Sequence, residues 1–327
     1  MTSGGGSLFS LIDTSKSILL GEVKEVRVLV TGASGLLGHK LVGELINEGY
    51  NVIGIYNRHS IPIEHRNLTK VRLNLAEYKP LEDFMLKMKP DVIVHAAAYT
   101  DVDGCEKNKE TAWRVNVNAT RSIVRVSRII KAYLIYISTD YIFDGERGLY
   151  KEDDLPNPLN YYGLTKLLGE ELVKVSDLSY TIIRPSAIYG VGGSKKSFAE
   201  FVVERLLRRE EVPALIDQYV SPTLNILLAK AIVEIIKKEL TGIFNIAGER
   251  MNRYDFALRL AEVLGLPRNL IKVARMCDMK RWIARRPRDS SLDISKAMSL
   301  LDTKFYDTEL ALRLFIEDWS NRDHGRR

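Results

Sequence analysis

Apolar residues in this chain gather in short unbroken runs, and between the runs they recur at every third or fourth position. VRVLVTG, from Val26 to Gly32, reads as a buried strand, the stretch from Leu36 to Asn47 as a helix, and NVIGIYN, ending at Asn57, as a second strand. The runs DVIVHAAA, YLIYISTD and TIIRPSAIYG continue the alternation, each separated from the last by a helical stretch. Strands that are apolar on both faces and joined by helices predict a parallel sheet covered on both sides. The fold class expected is therefore α/β, doubly wound and Rossmann-type.

After Arg184 the pattern turns helical in SFAEFVVERLLRRE, TLNILLAKAIVEIIKKEL and YDFALRLAEVLGL, interrupted by GIFNIAG, which reads as one more strand. The organisation expected is an N-terminal extension over 1–24, a dinucleotide-binding domain over 25–185, and a smaller helix-rich substrate lobe over 186–327. The strand near 242–248 is expected to return to the sheet. The lobe is expected over the carboxyl ends of the strands, where open α/β sheets bind ligands. The Gly-rich extension reads equally as flexible chain, an added strand or a mis-assigned start.

Composition narrows the classes. Hydrophobic residues make up 46% and charged residues 28%, which suits a soluble globular protein rather than a disordered one. No apolar run approaches the roughly 18 residues of a membrane span, and no basic stretch precedes the apolar patches near the start, so neither membrane nor secretion is expected. Cys105 and Cys277 lie far apart without metal-type spacing, which points to a reducing cytoplasm, no disulfide framework and no metal site. The net charge of +6 suits nucleic acid or a small diphosphate. Without zinc-finger spacing or an RNA-binding signature, nucleic acid is not an expected partner. Part of the surplus is local, at Lys280, Arg281, Arg285, Arg286 and Arg288.

The first strand runs into Gly32-Ala33-Ser34-Gly35-Leu36-Leu37-Gly38, a G-x-x-G-x-x-G turn that opens a helix. Glycines there let backbone approach a pyrophosphate, and the helix N-terminus supplies oriented N–H groups. At the end of the second strand an NAD enzyme places an acidic residue, but here Asn57 and Arg58 stand instead. A guanidinium binds a 2′-phosphate that a carboxylate would repel, so NADP(H) is the expected cofactor, with NAD as a weaker substitute. Asn74 and Leu75 at the end of the third strand are placed to meet the adenine, and Ala96, Ala97 and Ala98 leave room for the cofactor beside the backbone. Core packing explains the alanines equally well.

In NPLNYYGLTKLLGEEL, Asn160 is placed to cap a helix on which Tyr162 and Lys166 share one face. A nearby ammonium is expected to lower the tyrosine pKa from about 10, fitting Tyr162 to move a proton. Such pairs also arise on ordinary helices. This one follows a strand ending in Ser138 and Thr139, and Thr139 is placed to bond a substrate carbonyl.

Glycine turn, strand-end Ser/Thr and Tyr-x-x-x-Lys in this order resemble the extended short-chain dehydrogenase/reductase family. Within it the chain resembles the dTDP-4-dehydrorhamnose reductase branch, through AAYTDVDGCE, AWRVN, ISTDYIFDG, YYGLTK, DQYVSPT and RRPRDSSLD. The resemblance implies a catalytic trio of Thr139, Tyr162 and Lys166, and a structural Asn116. It implies substrate contacts at Thr100, Val102, Thr139, Asp140, Tyr141 and Gln218, with Arg286 at the diphosphate. The implied reaction is NADPH-dependent reduction of the C4 keto group of dTDP-4-dehydro-L-rhamnose to dTDP-L-rhamnose, a precursor of cell-surface polysaccharide. The partner implied is a nucleotide-diphosphate sugar, and a homodimer is compatible with the sequence. Asn74 departs from the Asp of many relatives. A dehydratase would carry an acid where Tyr141 stands, and an epimerase an acidic residue where Asn57 stands. The rival from another class is a non-catalytic NADP-binding regulatory subunit, since the beta subunit of methionine adenosyltransferase shares much of ISTDYIFDG.

Overall fold

The apolar runs form strands whose alternate residues enter two separate cores. Val28, Val30, Val92, Val94, Ile135 and Ile183 face one side, while Leu29, Ile93, Leu134 and Ile182 face the other. A strand buried on both faces has no solvent side, which is why these runs lack polar alternation. The structure is a computed structural model and describes residues 25–193 and 196–324. The extension expected over 1–24 lies outside the described residues.

Strands β1 (Arg27–Thr31), β2 (Asn51–Tyr56), β3 (Leu68–Arg72), β4 (Val92–His95), β5 (Tyr133–Ile137) and β6 (Tyr180–Arg184) are joined by the strand Gly242–Asn245 in a seven-stranded sheet. All pairings are parallel, in the order Gly242–Asn245, β6, β5, β4, β1, β2, β3. The order reverses between β1 and β4, opening a crevice at their carboxyl ends.

Helix α1 (Gly38–Asn47) covers one face; α2 (Tyr78–Met88), α5 (Ala119–Ile130) and α6 (Tyr161–Lys174) pack together on the other, with the short α3 (Val102–Lys107) and α4 (Lys109–Trp113) before them. The chain then contributes α7 (Phe198–Leu207), α8 (Asn225–Lys238) and α9 (Arg253–Val263). Helix α8 was expected in the lobe but lies along α1 on the sheet, because its buried Leu228, Ile232 and Ile235 join the same core as Val28 and Leu41. The chain after residue 185 thus serves both layers. Three strand pairs build the rest of the lobe side: Ser186–Tyr189 with Pro222–Leu224, Tyr219–Val220 with Met251–Asn252, and Val212–Leu215 with Ile271–Ala274. Among the described residues no helix is long and apolar enough to cross a membrane.

Candidate active site

Strand β1 leads into the turn at Gly32, whose φ of +69° and close approach to the backbone of Ala97 exclude a side chain. At Gly38 a Cβ would stand 2.0 Å from the Gly32 carbonyl. The turn closes through Gly35 N–H to Gly32 O at 2.9 Å. Among the described residues, the N–H groups of Ser34, Leu36, Leu37 and Gly38 donate to no protein acceptor. Four unpaired donors at the head of an uncapped helix form a cradle for a pyrophosphate. The Leu37 side chain is core.

Beneath the turn, Thr31 Oγ1 and His95 Nδ1 lie 2.8 Å apart, and His95 Nε2 lies 3.0 Å from Thr120 Oγ1. Thr120 gives its proton to Asn116 O at 2.7 Å, so it accepts from His95, and the ring carries its hydrogen on Nε2. Thr31 in turn accepts from Ala97 N–H at 3.1 Å. Burial holds His95 neutral, its pKa lowered to about 3, with the Lys166 charge adding to the effect.

Asn57 and Arg58 are exposed at the end of β2, and Arg58 lies within charge reach of Tyr99. The Asn57 carbonyl accepts from Arg72 Nε at 3.1 Å, because Arg72 pairs across the sheet with Tyr56. Two guanidinium groups therefore bracket this strand end. Sequence reasoning missed Arg72, since cross-strand register is not written in either strand alone. Asn74 accepts from Ala76 N–H at 3.1 Å and donates to Glu77 at 3.3 Å, closing the entry to α2. Leu75 is buried in the core, so its side chain is not at the cofactor. Ala96, Ala97 and Ala98 line the loop facing the turn, with Ala97 against Gly32.

Helix α6 is capped as expected: Asn160 accepts from Gly163 N–H at 2.9 Å and donates to Arg285 O at 2.9 Å. Asn116, in a π-turn, accepts from Tyr99 N–H at 2.7 Å and donates to Tyr99 O and to Thr165 Oγ1 at 3.0 Å. It fixes α6 against the loop that carries Tyr99 and Thr100. On α6, the half-buried Tyr162 lies within the influence of the Thr139 hydroxyl, and the Tyr141 ring meets it edge-on with centroids 6.1 Å apart. Structure corrects one expectation here. The Tyr162 phenol is raised rather than lowered, because burial outweighs the lowering influence of the Thr139 hydroxyl and Asp140 adds to the rise. Lys166 Nζ donates to Ile137 O at 2.7 Å and sits 4.1 Å from the Tyr136 ring centroid. Burial lowers Lys166 to about 7, against the pull of Glu170. Beside them Ser138 Oγ is buried and has no partner among the described residues. A hydroxyl, a lysine and four N–H groups left available in one crevice fit a dinucleotide.

The substrate side differs from expectation at three residues. Asp140 is 2% exposed and accepts from Thr139, Ser186 and Ser290 hydroxyls at 3.0, 2.7 and 2.6 Å, so it ties the strand end to the lobe. Burial raises its pKa despite those three bonds. Gln218 is buried and accepts from Arg253 Nε at 2.8 Å. Arg286 is bidentate to Asp103 at 3.0 and 2.9 Å, and that carboxylate also receives Ile283 and Ala284 N–H. Burial pushes Asp103 up, but these bonds hold it below the ordinary range. A charge so paired is not free to meet a diphosphate. Thr100 is exposed, and Val102 and Tyr141 are half-buried. A surface hollow of about 390 Å³ lies at the opposite sheet edge among Arg27, Asn51, Arg66 and Thr69, and contains none of these groups. Among the described residues no cluster of His, Cys, Asp or Glu is placed to hold a metal ion.

The chain matches the family model of the RmlD substrate binding domain over residues 26–321. It is similar to the solved structure of a hypothetical dTDP-4-dehydrorhamnose reductase from Sulfolobus tokodaii, with 44% identity, TM-score 0.78, and coverage of 87% of this chain and 98% of that one. A dTDP-4-dehydrorhamnose reductase from Bacillus anthracis in complex with NADP is 28% identical, with TM-score 0.79 over 89% of this chain and 99% of that one. Among curated relatives, the probable low-salt glycan biosynthesis reductase Agl14 of Haloferax volcanii is 35% identical over 89% of this chain and 99% of its own. Methionine adenosyltransferase 2 subunit beta of Bos taurus is 30% identical over 84% of this chain and 82% of its own.

Proposed function

Because the chain belongs to the RmlD substrate binding domain family, we propose that it is an NADP(H)-dependent oxidoreductase that reduces the C4 carbonyl of dTDP-4-dehydro-L-rhamnose, yielding dTDP-L-rhamnose. The observation that carries this reading is a Tyr162 phenol held protonated by burial beside Thr139, its ring edge-on to Tyr141, with Lys166 one helical turn on. The bound dinucleotide supplies a hydride. The chain supplies the rest. The Ser34, Leu36, Leu37 and Gly38 N–H groups hold the pyrophosphate, Arg58 and Arg72 take the 2′-phosphate, and Ser138 and Lys166 face the nicotinamide end.

Thr139 orients the carbonyl oxygen, and Tyr162 gives it the proton that completes the hydroxyl. A phenol whose pKa is raised by burial is fully protonated at neutral pH, which is the form a reduction consumes. The phenolate left behind is stabilised by Lys166, whose pKa of about 7 lets it take up a proton as that negative charge forms. The enzyme so described works in the cytoplasm on a small nucleotide-linked substrate, and a homodimer suits it.

A second reading follows from the likeness to methionine adenosyltransferase 2 subunit beta: this chain would be a non-catalytic NADP-binding regulatory subunit. One assay separates the two: purified protein with NADPH and dTDP-4-dehydro-L-rhamnose, followed by nicotinamide absorbance. Oxidation is expected. Bound cofactor with no oxidation across a panel of nucleotide-linked keto sugars leaves the regulatory reading.

A further inference from the structure

Arg253 opens α9, and its neighbour Asn252 caps that helix by accepting from Asp255 N–H. Its Nε donates to Gln218 Oε1 at 2.8 Å, while Gln218 Nε2 reaches the Pro287 carbonyl at 3.5 Å. The amide thus bridges Arg253 and the Pro287 carbonyl. Its guanidinium carbon lies 5.2 Å from the Phe198 ring centroid, a contact that orients the group. Among the described residues, Nη1 and Nη2 of Arg253 donate to no acceptor. A guanidinium has five donors, and only one is in use here.

Its surroundings give that free edge a direction. Gln218 links Arg253 to the Arg286-Pro287 segment, and the Arg253 charge acts on Asp140 and Tyr141, which follow Thr139 directly. Two nearby candidates are already engaged, Asp140 by three hydroxyls and Arg286 by Asp103. A guanidinium fixed through Nε, with an unpaired Nη edge, suits two oxygens of one anion. We infer that Arg253, rather than Arg286, binds the diphosphate of the nucleotide-linked substrate. The inference rests on the proposed reaction only for the identity of that substrate.

Two readouts test it. Arg253→Met is expected to raise KM for dTDP-4-dehydro-L-rhamnose at least about tenfold, the range for lost hydrogen bonds to a charged group. Turnover at saturation and NADPH affinity stay within about threefold on the same reasoning. Calorimetry with dTDP alone is expected to show the same loss of affinity. Arg253→Lys keeps the charge without the fork, and is expected to fall between wild type and Arg253→Met; it separates a lost anchor from lost folding. An inactive wild type whose dTDP binding still depends on Arg253 rejects the reaction and keeps the anchor. An active wild type whose KM and dTDP affinity match those of Arg253→Met rejects the anchor and keeps the reaction. Equal losses for dTDP and NADPH also reject it.

Discussion

The glycine turn after β1 and the lobe face opposite it border the same crevice, yet they hold their ligands in different ways. At the turn the chemistry is backbone: unpaired N–H groups whose positions follow from glycine placement and the start of α1. On the lobe face it is side-chain charge, and each charge matters only if no other part of the chain has claimed it. Arg286 and Asp103 are far apart in sequence and neutralise each other in space, while Arg253 keeps donors to spare. Backbone chemistry can be read locally, whereas charge chemistry needs the long-range pairing list.

The largest expected effect falls where the two sides meet. Tyr162→Phe removes only the proton donor, and turnover is expected to drop by roughly 10²- to 10⁴-fold with NADPH binding retained. Unchanged turnover, measured under saturating substrate, would show that the proton comes from elsewhere.

Next is acid lability of the cofactor side. His95 joins β1, the Ala97 loop and α5 as a neutral ring, with pKa about 3 against about 6.5 in the unfolded chain. Between those values the unfolded state binds the extra proton, so stability is lost as pH falls below about 6.5. By pH 5 this one group costs about 2 kcal/mol. Thermal unfolding from pH 7 to 5 should show that slope in the wild type and a flatter one in His95→Gln; parallel curves would discount the ring.

The smallest effect tests cofactor choice. Arg58→Asp is expected to shift the NADPH-to-NADH ratio of kcat/KM by about tenfold toward NADH, the scale of one charge-assisted contact. Arg72→Met is expected to shift it less, because only part of the bracket is lost. Equal ratios in wild type and both variants would place the 2′-phosphate elsewhere.

The layered fold was legible because β1, β2, β4, β5 and β6 are buried on both faces and so are continuous apolar runs. The cofactor turn was legible because glycine is the residue that tolerates the approach of Gly32 to Ala97 and of residue 38 to the Gly32 carbonyl. Asn160 as the cap of α6 was likewise visible from its place before the helix. Tertiary partners were not. Nothing local shows that α8 leaves the lobe to cover α1, or that Tyr56 stands beside Arg72. The sign of the Tyr162 shift was misjudged for a related reason. A Tyr-x-x-x-Lys spacing suggests the cation beside the phenol, but Lys166 turns to Ile137 O and burial dominates both groups.

The central claim is that the crevice passes a hydride to a sugar carbonyl while Tyr162 supplies the proton. The most direct measurement is a single turnover with NADPH deuterated at C4 of the nicotinamide and dTDP-4-dehydro-L-rhamnose, with the product examined by mass and NMR. The account predicts one deuterium at C4 of the sugar and unlabelled hydrogen on its new hydroxyl. A sugar recovered without deuterium, while NADPH is shown to be bound, would contradict it.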